Sequence, residues 1–217
     1  MKYLSLFIIF ACLGMTAAAQ EKEHRFEKEI AAYEQQDSQE FPLKGGIVFT
    51  GSSSIRMWKD LQDRFEGYNI IPRGFGGCQL SDVTYYANRI LIPYRPSKIF
   101  VYAGDNDLAA GQTPDEVYEE FLEFYQLMTD SLPETKVYYI AAKPSPRRQK
   151  LLPAYVKFND RVAKFIKKHP CNWEFVDVFN AMLDEDGVPI RSLFLDDRLH
   201  MNSKGYDIWE KLIGKYL

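Results

Sequence analysis

Moving an acyl group asks a protein for four things: a nucleophile, a base, a group that orients the base, and N–H donors aimed at the developing oxyanion. Residues of each type occur here, scattered over short stretches far apart in the chain. The hydroxyls are Ser52-Ser53-Ser54, inside G-I-V-F-T-G-S-S-S-I-R-M-W from Gly46 to Trp58. Of the three histidines, His24 and His169 fall on helix surfaces or ends, with His24 read as a solvated surface residue, which leaves His200 as the base candidate. Asp197 precedes it by three residues, a spacing that lets a carboxylate and an imidazole meet within one turn of chain. Gly77, in a glycine-dense turn, offers a backbone N–H that a ligand can approach closely. Asn106, in G-D-N-D, offers a side-chain amide.

Each of these has an ordinary reading as well. Serine is a favoured helix cap, and so is aspartate. His200 read alone is a surface histidine, glycines suit turns, and Asn106 can bond its own backbone. What the residues share is position, and position depends on the elements that carry them.

Ile47 to Thr50 reads as a buried strand between Gly45-Gly46 and Gly51. Asn69 to Pro72 makes a second strand, ending in the turn Gly74-Phe75-Gly76-Gly77. Lys98 to Ala103 is the clearest strand and runs into Gly104-Asp105-Asn106-Asp107. Lys136 to Ala142 is a fourth, followed by Lys143-Pro144-Ser145-Pro146, and Trp173 to Val178 a fifth. Between them lie helical patterns. Glu21 to Gln36 is an amphipathic lead-in, and Arg56 to Phe65 a short helix or loop. Gln79 to Ile92 and Pro153 to Lys168 are helical, and Asn202 to Leu217 closes the chain. Thr113-Pro114-Asp115-Glu116 is a helix start with a Thr cap, Pro at the first position and two acids in the first turn, predicting a helix to about Ser131. Near-continuous apolar strands alternating with helices predict a parallel sheet buried on both faces: a three-layer α/β/α sandwich with five strands. In such a sheet the serines, the glycine turn, the G-D-N-D loop and the Leu195 to Asn202 segment all emerge at the carboxyl edge. That is where open α/β sheets gather their ligands.

Composition bounds the rest. Lys2, the apolar run Leu4 to Leu13 and Ala17-Ala18-Ala19 read as a secretory leader over residues 1–19, too short to span a membrane. Removing 19 of 217 residues leaves one domain, 20–217, and takes the formal net charge from −3 to −4. An acidic chain with interspersed charges makes no electrostatic case for nucleic acid. Cys78 and Cys171 show no metal-ligand spacing and read as free and buried. No metal or organic cofactor is called for, and the mature chain has no membrane span.

Taken in order, the segments resemble the SGNH hydrolases, the GDSL-type lipase/acylhydrolase family. The blocks are F-T-G-S-S-S-I-R-M-W, R-G-F-G-G-C-Q, A-G-D-N-D-L and D-D-R-L-H-M-N, and the likeness spans about Gly45 to Tyr206. K-P-S-P-R-R after the fourth strand resembles one branch of the family. The resemblance implies a flavodoxin-like fold and makes Ser53 the nucleophile. Asp197 and His200 complete a triad, and Ser53, Gly77 and Asn106 form an oxyanion hole. It departs from the family at Ser52, where the name records Asp, and at Pro72-Arg73, where many members carry Asn. The activity implied is hydrolysis of carboxylic esters by an exported enzyme, on a small-molecule or glycan ester. Short acyl groups such as acetyl are favoured, because no lid or insertion is present to build a long groove. Tyr102, Phe75, Trp58 and Arg56 flank the site and could line it. Alternatives are a lysophospholipase or thioesterase, and a silent glycan-binding module of the same fold.

Overall fold

A computed structural model describes residues 24–217; the expected leader lies outside the described residues. Five strands form one parallel sheet in the order β2-β1-β3-β4-β5. They are β1 (Ile47–Gly51), β2 (Ile70–Gly74), β3 (Lys98–Tyr102), β4 (Lys136–Ile140) and β5 (Trp173–Val176). The helices are α1 (Glu27–Gln39), α2 (Ser53–Arg56), α3 (Leu61–Arg64), α4 (Leu80–Ile90), α5 (Asp105–Ala109), α6 (Pro114–Ser131), α7 (Leu152–Lys168) and α8 (Ser203–Ile213). The three-layer α/β architecture predicted from the apolar runs is the one observed.

The central strands are buried along almost their whole length, as expected of strands covered on both faces. Phe49, Phe100 and Tyr138 sit at one height on β1, β3 and β4. Their rings stack at 4.7 and 4.5 Å, each pair contributing about 0.5–1.5 kcal/mol beyond burial. Trp58, Phe65 and Tyr216 close over this face. On the opposite face Tyr139 packs against Phe121 of α6 and Phe158 of α7. Tyr102, Phe75 and Trp58, which the sequence placed beside the site, are core residues at 0, 0 and 3 % exposure.

Other boundaries differ in small ways with physical causes. The lead-in helix runs to Gln39 rather than Gln36. Its Asp37 pairs with Arg73, and Tyr94 donates to the same carboxylate at 2.5 Å. The Arg73 guanidinium also lies over the Tyr33 and Tyr94 rings. Arg73 is therefore the bolt between α1 and the sheet. The Thr113 cap is present in full: Glu116 N–H donates to Thr113 Oγ1 at 3.2 Å and Thr113 N–H to the Glu116 carboxylate at 2.7 Å. Two expectations need correction. Cys171 is free but exposed, because it lies in the turn between α7 and β5 rather than in the strand; Cys78 is free and buried. His24 is half-buried, its ring stacked on Tyr85 at 4.2 Å.

Candidate active site

The register explains why distant segments meet. Gly51 at the end of β1 is level with Gly74 of β2 and Tyr102 of β3. The chain steps from β1 to β2 on one side and crosses to β3 on the other, so β1 and β3 part at a topological switch point, where a crevice opens outside the strand ends. Ser52 N–H donates to Tyr102 O at 2.9 Å, tying the serine turn to the G-D-N-D loop. A Cβ at Gly51 would come within 1.9 Å of Tyr102 O, so only glycine permits this approach.

Of the three serines, Ser53 alone meets the histidine. His200 Nε2 lies 3.0 Å from Ser53 Oγ, and His200 Nδ1 lies 2.5 Å from Asp197 Oδ2. A carboxylate only accepts, so Nδ1 carries the proton and Nε2 is left to accept from the serine hydroxyl. Ser52 is fully buried and donates to Asp105 Oδ1 at 3.4 Å; Ser54 is 2 % exposed.

Asp197 and His200 sit on a tight loop closed by the Phe194–Met201 bridge and by Leu195 N–H donating to His200 O at 2.8 Å. Leu199 and His200 N–H groups donate to Asp197 Oδ1 at 2.9 and 3.0 Å. Partial burial pushes the Asp197 carboxyl up, but these N–H groups and the His200 ring outweigh it and hold it down at about 2. Asp197 does not cap the last helix. Asn202 does, accepting from Gly205 N–H at 3.3 Å.

The donor candidates also assemble. Gly77 has φ 85°, a conformation that favours glycine, and a Cβ there would face open space. Its N–H and that of Ser53 have no protein acceptor among the described residues. Asn106 does not bond its own backbone. Its Nδ2 donates to Cys78 O at 2.9 Å, which joins it to the glycine turn and leaves one amide hydrogen free. Among the described residues no group of three or more His, Cys, Asp or Glu could hold a metal ion. The arrangement can lower the barrier to attack by a hydroxyl on a carbonyl carbon and can receive a negative oxygen.

The model of the GDSL-like lipase/acylhydrolase family matches residues 47–208. The chain belongs to this family. Solved structures agree in fold. A candidate platelet activating factor from Streptococcus pneumoniae has a TM-score of 0.76 at 22% identity, over 88% of this chain and 91% of that one. A candidate acylhydrolase from Bacteroides fragilis gives 0.76 at 22%, over 86% and 94%. A GDSL-like lipase from Bacteroides thetaiotaomicron gives 0.74 at 20%, over 86% and 96%. No curated protein matches the chain.

Sequence reasoning missed the residues that hold this GDSL-like site in place. Arg25, outside the family match, donates to Gly77 O at 2.7 Å and steadies the glycine turn from α1's leading end. Asp107 Oδ1 accepts from Leu80 N–H at 2.8 Å, and burial pushes its carboxyl up to about 7. Arg148 donates to both Asp105 and Asn106. The only advance signal for it was the K-P-S-P-R-R segment.

Lys143, from the same segment, is 2 % exposed and donates to Leu199 O at 2.9 Å, holding the loop that carries His200. Burial pushes its ammonium down to about 8, against the attraction of Asp105. The folded protein therefore releases this proton before the unfolded chain does, so stability rises with pH from about 8 towards the usual lysine value of 10.5. In Lys143→Met that contribution vanishes. Denaturant melts at pH 7.5 and 10 should differ between the two proteins by roughly 2–3 kcal/mol in the change of stability. Parallel pH curves would discard the assignment.

Proposed function

We propose that this protein is an exported serine esterase that removes short acyl groups, acetyl foremost, from alcohols or glycans. The observation that carries this reading is the Ser53–His200–Asp197 relay at 3.0 and 2.5 Å, with Ser53 and Gly77 N–H groups that have no protein acceptor among the described residues. His200 Nε2 takes the Ser53 proton as Oγ attacks the acyl carbon, and Asp197 stabilises the imidazolium that forms. The Ser53 and Gly77 N–H groups and the Asn106 amide hold the oxyanion. The alcohol leaves with the proton from His200. Water, deprotonated by the same ring, then attacks the acyl-serine and releases the acid. No cofactor enters this scheme.

A groove of about 640 Å³ lined in part by Arg148, which also donates to Asn106, supports the substrate class. It runs between Ala109 and the 146–151 segment, lined by the apolar stems and polar heads of Arg147, Gln149 and Lys150. Such walls suit a sugar ring, with its apolar faces and hydroxyl rim, better than a long acyl chain. Export rests on the leader-like residues 1–19, and among the described residues no helix is long and apolar enough to cross a membrane. Protein recovered from the exported fraction should begin at Gln20. It should hydrolyse p-nitrophenyl acetate and acetylated xylan at least about tenfold faster, by kcat/KM, than p-nitrophenyl esters of eight carbons or more. Preference for the long esters, or retention of residues 1–19, would count against the respective half of the proposal.

A further inference from the structure

We infer that Arg148 is a positioning residue for the Asn106 oxyanion donor, acting through a buried charge network that starts beside the nucleophile. The inference rests on the esterase reading of the same site and names a group that reading does not require.

An asparagine amide has nearly the same shape either way round, yet only its nitrogen end can serve an oxyanion. With Oδ1 turned into the site it would repel the charge. Two partners that each work in one direction prevent this. Arg148 Nη2, which can only donate, lies 2.9 Å from Asn106 Oδ1. Cys78 O, which can only accept, takes a hydrogen from Asn106 Nδ2 at 2.9 Å. With both ends held, the second Nδ2 hydrogen has a set direction before any ester arrives, so no reorganisation is needed at the moment of reaction.

The other arm of the guanidinium is equally committed. Arg148 Nη1 donates to Asp105 Oδ2 at 2.8 Å and to Asp105 O at 3.1 Å. The two side chains are only 17 and 7 % exposed. Asp105 Oδ1 accepts from Ser52, and Tyr155 OH donates to Asp105 O at 3.3 Å. The carboxylate absent from position 52 is thus present one strand over, against the Ser52 hydroxyl. A continuous chain of contacts runs Ser52–Asp105–Arg148–Asn106. Asp105 neutralises Arg148, so the guanidinium acts on the oxyanion through the orientation of Asn106. A planar fork holding a carboxylate and an amide together is something an ammonium cannot reproduce.

The test is a double-mutant cycle on p-nitrophenyl acetate hydrolysis with Arg148→Lys and Asn106→Ala. Lysine keeps a cation beside Asp105 and should leave the melting temperature near that of the wild type. It should lower kcat by about 10- to 100-fold with KM within about threefold, and Asn106→Ala should lower kcat by about 10²–10³. The double variant should be no slower than Asn106→Ala alone, because Arg148 has nothing left to position. If Arg148→Lys does not fold, the cycle is run with Asp105→Asn/Arg148→Gln, which removes both buried charges together, and the same non-additivity is expected. Turnover within about threefold of wild type, or effects of the two sites that multiply, overturns the inference while the esterase reading stands. A wild-type protein that neither turns over the ester nor takes a fluorophosphonate on Ser53 overturns both.

Discussion

Ser53→Ala reduces p-nitrophenyl acetate turnover by about 10⁴–10⁶-fold, the range seen when the nucleophile of a Ser-His-Asp site is removed. The expectation follows from geometry, because no neighbouring hydroxyl is placed to substitute. Ser52 is fully buried and committed to Asp105, and Ser54 is 2 % exposed. Folding should be nearly unaffected. Ser53 is half-buried at the first position of α2, and its side chain makes one hydrogen bond, worth about 0.5–1.5 kcal/mol. A fluorophosphonate probe should add its mass to the peptide containing Ser53 in the wild type and not in the variant. Ser54→Ala should keep turnover within a few-fold. Unchanged turnover in Ser53→Ala would sink the mechanism.

Asp197→Asn is the second large effect, at about 10⁴-fold in kcat. Asparagine is nearly isosteric, so the loop closed by the Phe194–Met201 bridge should persist. The chemistry changes because an amide can donate where a carboxylate only accepts. His200 then turns to the tautomer with its proton on Nε2, and that nitrogen can no longer take the Ser53 proton. The ionised carboxylate that would offset the imidazolium is also gone. KM should stay within a few-fold, since Asp197 is placed to touch the ring and not the ester. A loss confined to KM, or a kcat within about tenfold of wild type, would show that Asp197 does not orient the base. Because the carboxyl is held down at about 2, it is ionised throughout the usual assay range. An acid limb in the wild-type rate profile must therefore have another source.

How far the sequence could be read depended on how local each signal is. The central strands were legible because a strand buried on both faces must be apolar at nearly every position, as Val48, Phe49 and Ile99 to Tyr102 are. The Thr113–Glu116 box was legible because cap and partner lie three residues apart. Asp197 and His200 were legible as a pair for the same reason, whereas their link to Ser53 came only from the family resemblance, because the serine lies far away in the chain. Cys171 was misread because a lone cysteine carries no pattern; its exposure follows from the turn after α7.

The sequence by itself determined the elements and the residue types. It held short apolar runs that read as buried strands, turns at their carboxyl ends, and a hydroxyl, imidazole, carboxylate and amide in those turns. Only the tertiary structure decided which of these touch. Ser53 and His200 are 147 residues apart, Ser52 and Asp105 are 53, and Arg148 and Asn106 are 42. Those contacts arise because all five strands run parallel in one sheet, so the segments after β1, β3, β4 and β5 leave at the same edge. Hydrophobic periodicity reports which face of an element is buried and says nothing about what lies across from it. That Ser53, of three adjacent serines, is the one facing His200, and that Arg148 reaches Asn106, both follow from that packing.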